Sequence, residues 1–107
     1  KIGPLMHGKT CAGAHVKGLD KEGKPYACYI YNVVDNQWSM DNYGDQAVVW
    51  QTAINPVIAM ELIANGTWKP RGVVGPEWME PKPFLDLIEQ YGSSWHIRDE
   101  DPAGLAL

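Results

Sequence analysis

The hydrophobic positions change period along the chain, and the changes mark its elements. Residues 9–18 read as a strand, and residues 25–34 as a stronger one, since Tyr26, Cys28, Tyr29, Ile30, Tyr31, Val33 and Val34 favour a pleated, half-buried surface. The second strand is apolar on both faces, with Tyr29, Tyr31 and Val33 on one and Cys28, Ile30 and Val34 on the other. Between the two runs, 19–24 is charged and holds Gly23, which is hairpin-loop chemistry, and Pro25 can open the second strand. Residues 35–44 show no period and read as a polar and aromatic loop. A helix is expected over 45–65, with Val49, Ala53, Pro56, Val57, Met60, Ile63 and Ala64 recurring at three- and four-residue steps toward a core. Asp45 suits its positive N-terminus and Asn65-Gly66 its end, and Pro56 predicts a kink or break near Asn55. Val73-Val74 suggests a short strand. Pro81 and Pro83 precede an amphipathic helix on Phe84, Leu87, Ile88 and Tyr91, stopped by Gly92. Trp95-His96-Ile97 reads as a last strand and 99–107 as a frayed tail. The fold class is α+β: a hairpin-containing sheet packed by a kinked helix and a short C-terminal helix, in one domain over 1–107.

Composition narrows the classes of function. The 107 residues suffice for one modest core. No uninterrupted apolar run of about 18 residues stands in the chain, and no signal-peptide pattern opens it, so no membrane contact is expected. Lys1 stands where an initiator Met would, as in a cut or processed product. The net charge of -4 and the scatter of the basic residues argue against nucleic acid. Only Lys17, Lys21 and Lys24 group, and Asp20 and Glu22 interleave with them. A hairpin turning near Lys21 would set Ala14, not Cys11, against Cys28, so two reduced thiols in a cytosolic protein are expected. His7, His15 and His96 lie too far apart to suggest a metal site, and the sequence has no GxGxxG, Walker loop, GxSxG, CxxC or HExxH.

An ordered series of short motifs adds to this reading. Gly8-Lys9-Thr10-Cys11-Ala12-Gly13 is followed by Tyr29-Ile30-Tyr31-Asn32-Val33-Val34-Asp35, then Gly44-Asp45-Gln46-Ala47 and Gln51-Thr52-Ala53-Ile54-Asn55-Pro56. Asn65-Gly66-Thr67-Trp68, Gly72-Val73, Pro83-Phe84-Leu85 and Tyr91-Gly92 complete it. Over 8–95 the series resembles the C-terminal part of saccharopine dehydrogenase family proteins, including the carboxynorspermidine dehydrogenase branch. The resemblance implies an NAD(P)-dependent reaction at a secondary amine, in which an amino acid and an aldehyde are joined through an imine that hydride reduces, or the reverse. It implies a dinucleotide-binding domain that is missing here, NAD or NADP in the full-length protein and none bound by this piece, a small amino-acid substrate, and a homodimer to which strand 25–34 contributes. Many relatives carry a His after the position of Asp35; this chain has Asn36, so a general-base role does not transfer.

Six residues are candidates for substrate contacts. Lys9 and Thr10 start a strand beside glycines, and a Lys can receive a carboxylate as a point charge; an exposed strand-end Lys is the competing reading. Asn32 and Asp35 stand where a strand gives way to a loop, with turn formation as the alternative. Gln46 and Thr52 lie on the helix about 120° apart, so they need not face one ligand. Tyr29 and Tyr31 share a face better suited to packing than to proton transfer, and some of the five tryptophans are expected to meet another domain or subunit. A non-catalytic dimerisation or binding module is the alternative function.

Overall fold

A computed structural model describes residues 2–103. After a 3-10 turn at Gly3–Leu5 come strands β1 (Lys9–Leu19) and β2 (Pro25–Asp35), helices α1 (Asn36–Tyr43) and α2 (Ala47–Ala64), a 3-10 turn at Pro76–Trp78, helix α3 (Pro81–Gln90) and strand β3 (Trp95–Glu100). The strands form an antiparallel sheet in the order β1-β2-β3. The helices cover one face of it, which makes the two-layer α+β architecture expected from the sequence.

The hairpin turns one residue later than the sequence suggested. Asp20 organises it: its carboxylate accepts from the backbone N–H of Glu22 at 2.8 Å and of Lys24 at 2.9 Å. Its own N–H donates to the Lys24 carbonyl, and Gly23 takes a left-handed φ of 79°. Moving the turn centre by one residue moves every partner by two, so Cys28 faces Val16 rather than Ala14, and Cys11 faces Val33. The face each side chain occupies is unchanged. Cys11 is exposed, Cys28 half-buried, and both thiols are free.

Residues 36–43 form a helix where a loop was expected. Its ends announce it better than its middle does. Asp35 is the N-cap, accepting from the Trp38 N–H at 3.1 Å, and Gly44 closes it with φ 76°. The eight residues show no apolar stripe because the buried positions of α1 are polar, Asn36 and Ser39, both engaged in hydrogen bonds.

Helix α2 runs from Ala47 to Ala64 without interruption at Pro56, so the expected break does not occur. The buried face is also not the expected one. Ala47, Trp50, Gln51, Ile54, Ile58 and Leu62 point inward, while Val49, Val57, Met60 and Ile63 are exposed, Met60 to 62%. Both series obey helical spacing, since α2 is apolar nearly all round and Glu61 is its one charged residue. Length and composition alone would let α2 cross a membrane, although Gln51, Thr52, Asn55 and Glu61 interrupt its apolar residues.

The core gathers Val34 from β2, the inward face of α2, Trp68 and Ile88, with Trp38, Phe84, Leu87, Tyr91 and Trp95 packed against it. Alternation along β2 sends Val34 inward and leaves Val33 outward. Helix α3 is amphipathic as expected but takes in Pro81 and Pro83, which were expected to precede it, and begins at Pro81. Gly92 follows it with φ 103°, and a side chain there would strike the Trp38 ring. Val73-Val74 forms no strand, and Val73 is fully exposed. Strand β3 extends to Glu100, pairing it with Ala27, so Asp99 and Glu100 belong to the sheet rather than to a tail. The expectation for 104–107 lies outside the described residues.

Candidate functional site

Where β2 ends, three elements meet around a buried amide, Asn36, and a half-buried one, Asn32. Asn36 is the first residue of α1 and is 6% exposed. Its Nδ2 donates to the carbonyls of Gly3 at 3.1 Å and Met6 at 3.0 Å. Its Oδ1 accepts from the Ala47 N–H at 3.0 Å, and its backbone N–H donates to Gly8. One side chain thus ties the N-terminal segment, the start of α1 and the start of α2. A neutral amide with both ends engaged holds backbone; it does not move protons. Ser39 reinforces it from the next turn, donating to the Asp45 carbonyl at 2.7 Å.

The second amide is Asn32, on the inner face of β2. Its Nδ2 donates to Ser93 Oγ at 2.9 Å, and its Oδ1 accepts from Gln51 Nε2 at 3.1 Å. Gln51 and Ser93 are both buried. This chain joins β2, α2 and the segment before β3. It borders an apolar cleft of about 300 Å³ walled by Ala12, Ala14, Ile30, Phe84, Ile88 and Trp95, with Asn55 at its rim. The small side chains of Ala12 and Ala14 on β1 leave room for the cleft. A wider cleft of about 560 Å³ lies on the other side of Asn36, between Gly3, Met40, Asp45 and Gln46.

The six expected site residues do not converge on one point. Lys9 and Asp35 are direct cross-strand partners at the sheet end, and Thr10 stands beside them, its hydroxyl 3.5 Å from the Val34 carbonyl. Asn32 lies one step inside, facing the helices. Gln46 sits at the start of α2 on the wider cleft. Thr52 belongs elsewhere: it is exposed on α2 and its hydroxyl donates to the Val48 carbonyl at 2.8 Å. Sequence reasoning missed Gln51, Ser93 and the structural part played by Asn36. A polar residue on the inward face of α2 would have signalled Gln51 had that face been assigned correctly.

The tyrosines with perturbed acidity stand away from this junction. Tyr26 donates to Asp99 at 2.9 Å, and that hydrogen bond raises its pKa to about 12. Tyr29 is raised first by its contact with the Cys11 thiol, and Tyr91 first by donating to Glu61 at 2.6 Å. Among the described residues no group of three or more His, Cys, Asp or Glu could hold a metal. The sheet is antiparallel throughout, so the described residues lack the parallel βαβ crossover and Gly-rich turn on which a dinucleotide is held.

No family model matches the sequence. Among curated proteins it is similar to a carboxynorspermidine synthase of Vibrio alginolyticus, 31% identical over 101 residues, which is 94% of this chain and 24% of that protein. A carboxyaminopropylagmatine dehydrogenase of Synechocystis sp. is 34% identical over 89 residues, 83% of this chain and 22% of its own length. A carboxynorspermidine synthase of Vibrio cholerae is 30% identical over 101 residues, with the same shares as the first. The chain therefore spans about a quarter of the length of these relatives. The likeness relates it to this group of enzymes, dehydrogenases among them, and not to saccharopine dehydrogenase in particular.

Proposed function

We propose that the chain is the substrate-holding part of an NAD(P)-dependent oxidoreductase that forms or cleaves a secondary amine bearing a carboxylate, of the carboxylated-polyamine kind named in its relatives. The likeness to these relatives over 94% of the chain is the observation that carries this reading. In this reading the dinucleotide fold lies in the part of the protein beyond this chain, which spans about a quarter of the relatives' length. The chemistry of the sheet end suits such a substrate. Lys9 offers an ammonium for the carboxylate, and Asp35, its cross-strand partner, offers a carboxylate for an amine. The apolar cleft beside Asn32, on the inner face of the sheet, is wide enough for a methylene chain. Asn36 and the Asn32–Gln51–Ser93 network keep this end rigid by satisfying its backbone.

The test uses the full-length protein that contains this chain. Consumption of NADH or NADPH is followed with a carboxylate-bearing amino aldehyde and a diamine. Lys9→Ala is expected to raise KM for the carboxylated partner about tenfold, with kcat little changed, because a contact present equally in ground and transition states is removed. Asp35→Asn keeps an acceptor for the Trp38 N–H while removing the charge, and should raise KM for the diamine. Absence of any imine reduction or amine oxidation would sink the reading.

A further inference from the structure

We propose that Asn65 is a self-modifying site, where the folded chain turns its own side-chain amide into aspartate and isoaspartate through a cyclic imide, at a pace set by the C-terminal cap of α2. Of the five asparagines it alone precedes a glycine.

The nucleophile in this reaction is the backbone nitrogen of the following residue, so the surroundings of that N–H and of the amide decide which asparagine reacts. Asn55 precedes Pro56, which has no N–H to give up. Asn32 precedes the β-branched Val33 within β2, and its amide is tied to Ser93 and Gln51. Asn36 is buried with both ends of its amide engaged. Asn42 lies inside α1 before the bulky Tyr43 and donates to the Trp38 carbonyl at 2.8 Å. Asn65, by contrast, is exposed, and its Nδ2, the group that leaves, has no partner among the described residues. Gly66 brings no side chain to the approach: a Cβ there would meet only Lys69 Cε, at 3.9 Å.

The same turn readies the electrophile. Asn65 Oδ1 accepts from the Thr67 N–H at 3.0 Å, which draws the side chain onto the Gly66–Thr67 backbone and polarises its carbonyl. The bond from Gly66 N to Asn65 Cγ forms, the Cγ–Nδ2 bond breaks, and the amide leaves as ammonia with the proton from Gly66. Water then opens the five-membered imide. Opening at the side-chain carbonyl leaves aspartate. Opening at the backbone carbonyl leaves isoaspartate, with the chain running through Cβ and Cγ. Nothing is oxidised or reduced, and water is the one co-reactant.

The fold holds the reaction back. Asn65 has ψ −1°, and the Gly66 N–H donates to the Ile63 carbonyl at 3.1 Å. Closing the imide ring turns Asn65 away from that helical ψ and breaks this hydrogen bond. The reaction therefore runs while the last turn of α2 is frayed. Its products then weaken that turn. Aspartate sets a negative charge at the negative end of α2. Isoaspartate lengthens the backbone between Leu62 and Trp68, whose N–H to carbonyl bond of 2.8 Å anchors a core tryptophan. The inference does not depend on the reaction proposed above, because its readout is mass and stability and not turnover.

The 107-residue chain is aged in mildly alkaline buffer, folded and in parallel in urea. Peptide masses and labelling by an isoaspartyl methyltransferase locate the products. Asn65 is expected to convert first among the five asparagines of the folded chain, and more slowly than in urea. Asn65→Gln should abolish this first product. The isoaspartyl form, separated by ion exchange, should unfold at lower urea than the parent chain. The inference is overturned if the folded chain keeps Asn65 while the unfolded chain loses it, or if Asn42 reacts first. Equal rates in the two states, or an isoaspartyl form that unfolds with the parent, also overturn it.

Discussion

At the scale of single residues, Asn36 is where most of the local order is held. Asn36→Ala removes three side-chain hydrogen bonds and strands the Ala47 N–H and two carbonyls in a buried place. A loss of about 3 kcal/mol is expected, at 1–3 kcal/mol for each unpaired buried group after partial relief by water. Urea denaturation measures it, and a change under about 1 kcal/mol would show that the hub is dispensable. Tyr26 offers a pH test. Its pKa is raised to about 12 by donation to Asp99, above the ordinary phenol value of 10.0. The folded state therefore favours the protonated phenol. The associated stability is complete below pH about 10, where the unfolded phenol titrates, and is lost as pH rises through about 12. Asp99→Asn should bring the spectrophotometric titration of Tyr26 back toward 10; a midpoint that stays near 12 would assign the shift to another cause.

At the scale of elements, α2 shows how spacing and burial part company. Ile58 is fully buried and Met60 is 62% exposed, two positions apart on one helix. Ile58→Ala should cost about 2–5 kcal/mol through lost contacts and a residual cavity. Met60→Ala should change monomer stability by under about 0.5 kcal/mol, as surface changes do. Paired denaturation curves compare them, and a reversed order would reverse the face of the helix. Helix α1 teaches the complementary lesson. Its ends, Asp35 and Gly44, are residue types that open and close helices, yet its middle lacks the periodicity by which helices are ordinarily found, and the segment read as a loop. The strands were legible because alternation along β2 is itself the packing pattern: Val34 goes inward and Val33 outward.

At the scale of the whole molecule, β2 is central and everything is built against it. A chain ending at Ser94 would lose β3 and leave the Ala27–Asn32 edge of β2 unpaired. It would also lose Trp95 from the wall of the core. Such a chain should unfold without a cooperative transition, which a calorimetric scan would reveal. A sharp transition like that of the intact chain would show that β3 is an accessory strand.

The sequence by itself determined the α+β class, the hairpin, the long helix, the amphipathic α3 and the separation of Cys11 from Cys28. These depend on local periods, turn residues and prolines, whose effects reach only a few positions along the chain. It offered Lys9, Thr10, Asn32, Asp35, Gln46 and Thr52 as candidates for substrate contacts. Only the tertiary structure decided which face of α2 is buried, because two apolar series with equal spacing are indistinguishable until Trp50, Ile54, Ile58 and Leu62 meet Val34 and Ile88. The same holds for Gln51, whose polarity makes sense only opposite Asn32, and for Asn36, whose partners lie 30 and 33 residues before it in contact order. Thr52 was separated from the other candidates for this reason too: rotation of a helix about its axis is set by the partners that cover it, and those partners are distant in sequence.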